Sequence, residues 1–198
     1  MNARFLGLAV CSVMLPLVGL ADEVMKSGPA VGEFIPAPFH PLNLTGDRAG
    51  SRHCLVCRYG LHPVLAIFAR EVPGADQPLA QLLKDYDSAI ARYPDAYLGG
   101  FVVFLSDAPP AERDTLAAKI VDLGKALELK HVVLCLDGPD GPEGYALHKD
   151  ATVTVLFYRQ HKVVENRVFT KDQPMMGQDV QALMSVVEKL VPKKESMR

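Results

Sequence analysis

Three short, unbroken apolar runs limit what this chain can fold into. They lie at residues 64–69 (Val-Leu-Ala-Ile-Phe-Ala), 101–105 (Phe-Val-Val-Phe-Leu) and 132–136 (Val-Val-Leu-Cys-Leu), the last within a strand expected from His131 to Leu136. A run apolar at every position has no solvent-facing side, so each fits a strand covered on both faces of a sheet. The segments between them have helical spacing instead. Leu79, Leu82, Leu83, Tyr86 and Ile90 share one face until Pro94 stops the run, and after Pro109-Pro110 so do Leu116, Ile120, Leu123 and Leu127. Strand, helix, strand, helix, strand is the pattern of parallel strands joined by right-handed crossovers. Residues 152–158 then alternate and are rich in β-branched side chains, 159–162 make a turn, and 163–169 return as a hairpin partner. Val180, Leu183, Met184, Val187 and Val191 mark a last amphipathic helix. The expected class is one α/β domain over 38–192, with a mixed sheet covered by helices on both faces.

The first 21 residues differ from the rest. Arg4 precedes an uncharged apolar run, and Gly19-Leu20-Ala21 puts small residues where a signal peptidase reads, with Asp22-Glu23 beyond. This reads as a secretory signal cleaved near Ala21-Asp22, which places the protein in a secreted or periplasmic setting. No later stretch is long and apolar enough to span a bilayer. Residues 22–37, with Gly28, Pro29, Gly32 and Pro36, read as an extended lead-in, and 193–198 as a solvated tail. Residues 38–45 and 52–56 suggest an N-terminal hairpin around the turn-rich 46–50. The net charge is −2 without a basic block, which argues against nucleic acid as a partner.

Chemistry concentrates at His53-Cys54-Leu55-Val56-Cys57-Arg58. Two thiols at C-x-x-C spacing close on each other within one turn, and three readings stand side by side. In the first, the pair exchanges disulfides: Cys54 attacks, Cys57 resolves, and Arg52, His53 and Arg58 favour the thiolate. In the second it is a fixed disulfide, although closing so short a loop is worth only ~2 kcal/mol. In the third, Cys54, Cys57 and His53 bind a metal with His62 or His40, but a second C-x-x-C and an H-x-x-x-H are both missing. Cys11 would leave with the signal. Cys135, in an apolar strand, reads as a buried inert thiol.

Several phrases carry a family resemblance. Residues 31–39, Val-Gly-Glu-Phe-Ile-Pro-Ala-Pro-Phe, are similar to the lead-in of redoxins, and 63–69 to the strand that delivers their active-site loop. Leu134 to Gly138 with Tyr145 resembles a later segment of that family, and 152–164 its closing hairpin. On these phrases and the order of parts, the chain resembles the thioredoxin-like superfamily in its redoxin, or peroxiredoxin-like, branch, as a bacterial secreted type with a displaced C-x-x-C. The resemblance implies a three-layer α/β fold extended by the N-terminal hairpin. It implies thiol–disulfide oxidoreductase chemistry on exported protein thiols or disulfides, with no cofactor. It also implies a Cys after the strand at 64–69, where this chain reads Arg70-Glu71-Val72-Pro73-Gly74-Ala75-Asp76, and a cis-proline where Ala151 stands. Peroxidase activity is therefore not expected.

If the signal reading holds, N-terminal sequencing of the natural protein begins at or near Asp22. A cytoplasmic product that starts at Met1 contradicts it.

Overall fold

The computed structural model describes residues 25–191; the expected signal, its cleavage site and the 193–198 tail lie outside them. Six strands form one sheet in the order β1-β4-β3-β2-β5-β6. They are β1 (Leu42–Asn43), β2 (Val64–Ala69), β3 (Gly99–Leu105), β4 (Val133–Asp137), β5 (Ala151–Arg159) and β6 (Lys162–Thr170). The helices are α1 (Leu55–Tyr59), α2 (Pro78–Arg92), α3 (Pro110–Ala126) and α4 (Gly177–Leu190). Strands β2, β3 and β4 run parallel, β5 lies antiparallel to β2, and β6 closes the expected hairpin.

The two unbroken runs nearest the centre are buried along their whole length, as their sequence requires. Alternate residues of β2 serve opposite layers. Leu65, Ile67 and Ala69 face one hydrophobic cluster, and Val64, Ala66 and Phe68 face the other. The first cluster takes α2, α3 and α4 together, with Tyr86, Ile120 and Leu183 among its contributors. Helices lie on both faces, as expected, but unequally. Steps from β2 to β3 to β4 move the same way across the sheet, and right-handed crossovers of that sense put both connecting helices on one side. The second face is covered by the five-residue α1, by Ile35 and Phe39 of the lead-in, and by Tyr145 and Leu147 from the β4–β5 connection.

The lead-in does more than its composition suggests. Gly32 N–H donates to Val163 O and Val163 N–H to Glu33 O, each at 2.8 Å, so this segment partners part of β6. Ser27 is buried and its hydroxyl lies 2.7 Å from that of Thr154. The N-terminal hairpin is looser than expected. Its arms meet at one bridge, Leu42 to Arg52, supported by Asn43 N–H to Ser51 O at 3.0 Å. β1 takes its ladder from β4 instead, and 55–56 belong to α1 rather than to a strand.

On the helical side, Asp87 of α2 is nearly fully buried, and its carboxylate accepts the N–H groups of Lys130, His131 and Val132. It thereby closes the turn that feeds β4, a structural use of a carboxylate that would otherwise be costly to bury.

A candidate disulfide site ahead of the central strand

Cys54 and Cys57 are joined as a disulfide with their Cα atoms 5.3 Å apart. Cys54 is the N-cap of α1: its backbone is extended, and its sulfur accepts the Cys57 N–H at 3.0 Å. The displaced pair therefore still opens a helix, although that helix precedes β2 instead of following it. Cys54 is 4% exposed and belongs to the second-face cluster with Leu55 and Val56, whereas Cys57 is exposed.

The far end of α1 fixes the pair against the sheet. Tyr59 lies over the start of β3, where the chain reads Gly99-Gly100. A Cβ on Gly99 would run into the Tyr59 ring, and one on Gly100 would sit 2.8 Å from Cε1 of Tyr86 on the opposite face. Two glycines in a strand mark a close approach from both sides. The hydroxyls complete the arrangement: Tyr59 donates to Gly100 O at 3.3 Å and Tyr86 to Gly99 O at 2.7 Å. Burial pushes the Tyr59 phenol above its ordinary value, against the lowering pull of Arg58, so it stays a donor. The ring also stacks on Phe101, with centroids 6.4 Å apart.

Each flanking cation has a partner. Arg52 donates to His40 O at 2.9 Å and meets Asp137 at 3.4 Å. Arg58 pairs with the exposed Asp47 at 2.8 Å, and its guanidinium carbon lies 5.7 Å from the Tyr59 ring centre. His53 is half-buried, and its backbone N–H donates to Pro41 O. His62 packs against the Tyr97 ring at 5.1 Å. Among the described residues, no group of three or more His, Cys, Asp or Glu side chains comes together as a ligand set, so Cys54, Cys57, His53, His40 and His62 do not converge as the metal reading requires. Cys135 is fully buried and its thiol donates to Asn43 Oδ1 at 3.4 Å. Burial pushes that thiol well above its ordinary value, with Asp137 adding to the effect.

The end of β2, where the resemblance implies a reactive Cys, holds a clamp. Arg70 donates to Ala151 O, Pro139 O and His148 O at 3.1, 2.7 and 3.2 Å, tying the strand end to the β4–β5 connection. Ala151 is the first residue of β5, and among the described residues no peptide bond is cis. Sequence reading assigned no anchoring role to Arg70, Tyr59 or Asp87. The Gly-Gly pair at the head of an apolar run was the available signal for Tyr59.

The sheet order and the crossovers decide the architecture. The fold is thioredoxin-like. Similar solved structures include a DsbF homologue from Corynebacterium diphtheriae, at 13% identity and a TM-score of 0.56, covering 91% of this chain and 99% of that one. The thioredoxin domain of a thiol-disulfide oxidoreductase from Bacteroides vulgatus matches at 15% identity and a TM-score of 0.53, covering 83% and 99%. A thiol peroxidase from Chromobacterium violaceum matches at 11% identity and a TM-score of 0.54, covering 85% and 94%. No protein-family model matches the sequence, and no curated protein matches it significantly. At these identities the thioredoxin-like likeness concerns the scaffold alone.

The Tyr59–Gly99 contact has a measurable consequence. Gly99→Ala should lower stability in urea unfolding by about 1–3 kcal/mol through overpacking. In a double-mutant cycle that cost should shrink when Tyr59→Ala is already present. An unchanged cost in the cycle contradicts the contact.

Proposed function

We propose that this chain is an exported thiol–disulfide exchange protein that works through Cys54 and Cys57 on protein thiols or disulfides. The observation that carries the reading is the reachability of the disulfide: its second cysteine stands exposed on a helix anchored through Tyr59 rather than through the disulfide alone. Reactive cysteines occupy partly exposed sites that favour the thiolate, whereas inert ones are buried. On reduction, the Cys57 N–H is already placed to donate to a Cys54 thiolate, with Arg52, His53 and Arg58 adding a cationic surround that Asp47 and Asp137 temper. Two structural neighbours whose names carry thiol-disulfide oxidoreductase or peroxidase chemistry share the scaffold, which supports the reading without assigning it. Export is part of the proposal: it supplies the oxidising compartment in which such a pair works, and no helix among the described residues is long and apolar enough to cross a membrane.

One observation favours a second reading, a binding or structural domain with a fixed disulfide. α1 has only five residues, far fewer than a helix needs to persist alone, so a covalent closure of its first turn has a structural use. The two readings differ in what reduction does.

The test is catalysis of insulin reduction by dithiothreitol, together with melting of the oxidised and reduced protein. Exchange predicts acceleration that Cys57→Ser abolishes, and a melting midpoint lowered by less than ~2 °C on reduction. No acceleration, together with a drop of ~4–8 °C that reflects a lost ~2 kcal/mol staple, supports the fixed disulfide.

A further inference from the structure

This inference rests on the exchange reading and concerns which sulfur meets the partner. The two cysteines differ in surroundings as well as in sequence position. Cys54 is 4% exposed, packed among Leu55, Val56 and the rest of the second-face cluster, while Cys57, one helical turn on, is exposed. Thiol–disulfide exchange proceeds by thiolate attack on one sulfur of a disulfide while the other sulfur leaves with the bonding pair. The attacked sulfur must be reachable, and the leaving sulfur must hold a negative charge. The structure divides these requirements between the two residues, because Cys57 lies toward solvent and its backbone N–H points at Cys54 Sγ from 3.0 Å.

We infer that Cys57 is the sulfur that exchanges with the partner and Cys54 is the buried leaving and resolving thiol, the reverse of the order expected from C-x-x-C analogy. An incoming thiolate attacks Cys57 Sγ. The partner–Cys57 S–S bond forms, the Cys54–Cys57 bond breaks, and its electron pair goes to Cys54 Sγ, where the Cys57 N–H receives the charge. A second thiolate of the same partner then attacks the partner sulfur of that mixed disulfide. It forms the partner's disulfide and releases Cys57 as a thiolate, so two electrons pass from the partner dithiol to the pair. In the opposite direction, Cys57 thiolate attacks a partner disulfide and Cys54 thiolate resolves the mixed disulfide. The burial of Cys54 also excludes a second partner from its sulfur, which keeps resolution intramolecular.

The experiment uses the full chain with Cys11→Ser, so that Cys54, Cys57 and Cys135 are its thiols; it is reduced, at neutral pH, with limiting iodoacetamide, and the modified cysteines are identified by peptide mass mapping. Cys57 should be labelled at least ~tenfold faster than Cys54, because alkylation needs access to the sulfur and burial denies it at Cys54 even where its thiolate is stabilised. Cys135 serves as an internal control and should label only when urea is added. With Ellman's reagent, Cys54→Ser should form a mixed disulfide at Cys57 in the folded protein; serine is itself a good N-cap, so α1 keeps its first turn. Cys57→Ser should react quickly only after unfolding. Faster or equal labelling of Cys54, or rapid trapping by folded Cys57→Ser, overturns the inference. Failure of the exchange reading itself shows separately, as no acceleration in the insulin assay, since the labelling order is read without turnover.

Discussion

The position of the cysteine pair depends on one contact, the Tyr59 ring laid over Gly99. A strand that begins Gly-Gly offers bare backbone on both faces, and here each face is used by a tyrosine: Tyr59 from α1 and Tyr86 from α2. Aromatic rings supply large buried area with a polar tip, so each packs against the strand and returns a hydrogen bond to it. α1 is too short to hold its own place in the chain. Its last residue secures it to the sheet, and its cap residue, Cys54, sinks into the same hydrophobic layer. The geometry of the disulfide follows from these two anchors, one at each end of the helix.

The two ends of β2 are held differently. At the C-terminal end of β2 the Arg70 guanidinium donates to three backbone carbonyls, Pro139 O and His148 O of the β4–β5 connection and Ala151 O at the start of β5. A planar fork with several donors suits that task, since it satisfies several unpaired acceptors at once in a loop that lacks a ladder of its own. The chemistry-bearing residues stand instead before β2, on the face covered by irregular chain. That face is held by aromatic contacts such as Phe39 with Tyr145 at 5.4 Å and by the Tyr145 hydroxyl donating to Ala37 O at 3.0 Å.

Much of the fold was legible because the central strands are doubly buried. Unbroken apolar runs at 64–69 and 101–105 admit few other uses, and the helical spacing between them fixes the crossovers. The side on which the helices lie was not legible from periodicity, since it depends on the order in which strands add to the sheet. The N-terminal arm was misread in part: Leu42 and Asn43 pair with β4, a partner nearly a hundred residues away that local turn chemistry at 46–50 does not reveal. At the site, the spacing of Cys54 and Cys57 announced a closable pair, and the structure closes it. Which cysteine is buried could not be read from four letters, because burial depends on how α1 lies on the sheet, and that depends on glycines some forty residues on.

The central claim is that this disulfide is exchangeable, and its reduction potential tests that most directly. The purified chain without residues 1–21 would be equilibrated in glutathione buffers of known poise, and the reduced fraction of the Cys54–Cys57 pair read by mass after acid quenching and alkylation. A potential of roughly −120 to −270 mV, the span of exchange-active pairs, is the predicted result. A value below about −300 mV, where structural disulfides lie, would contradict the account.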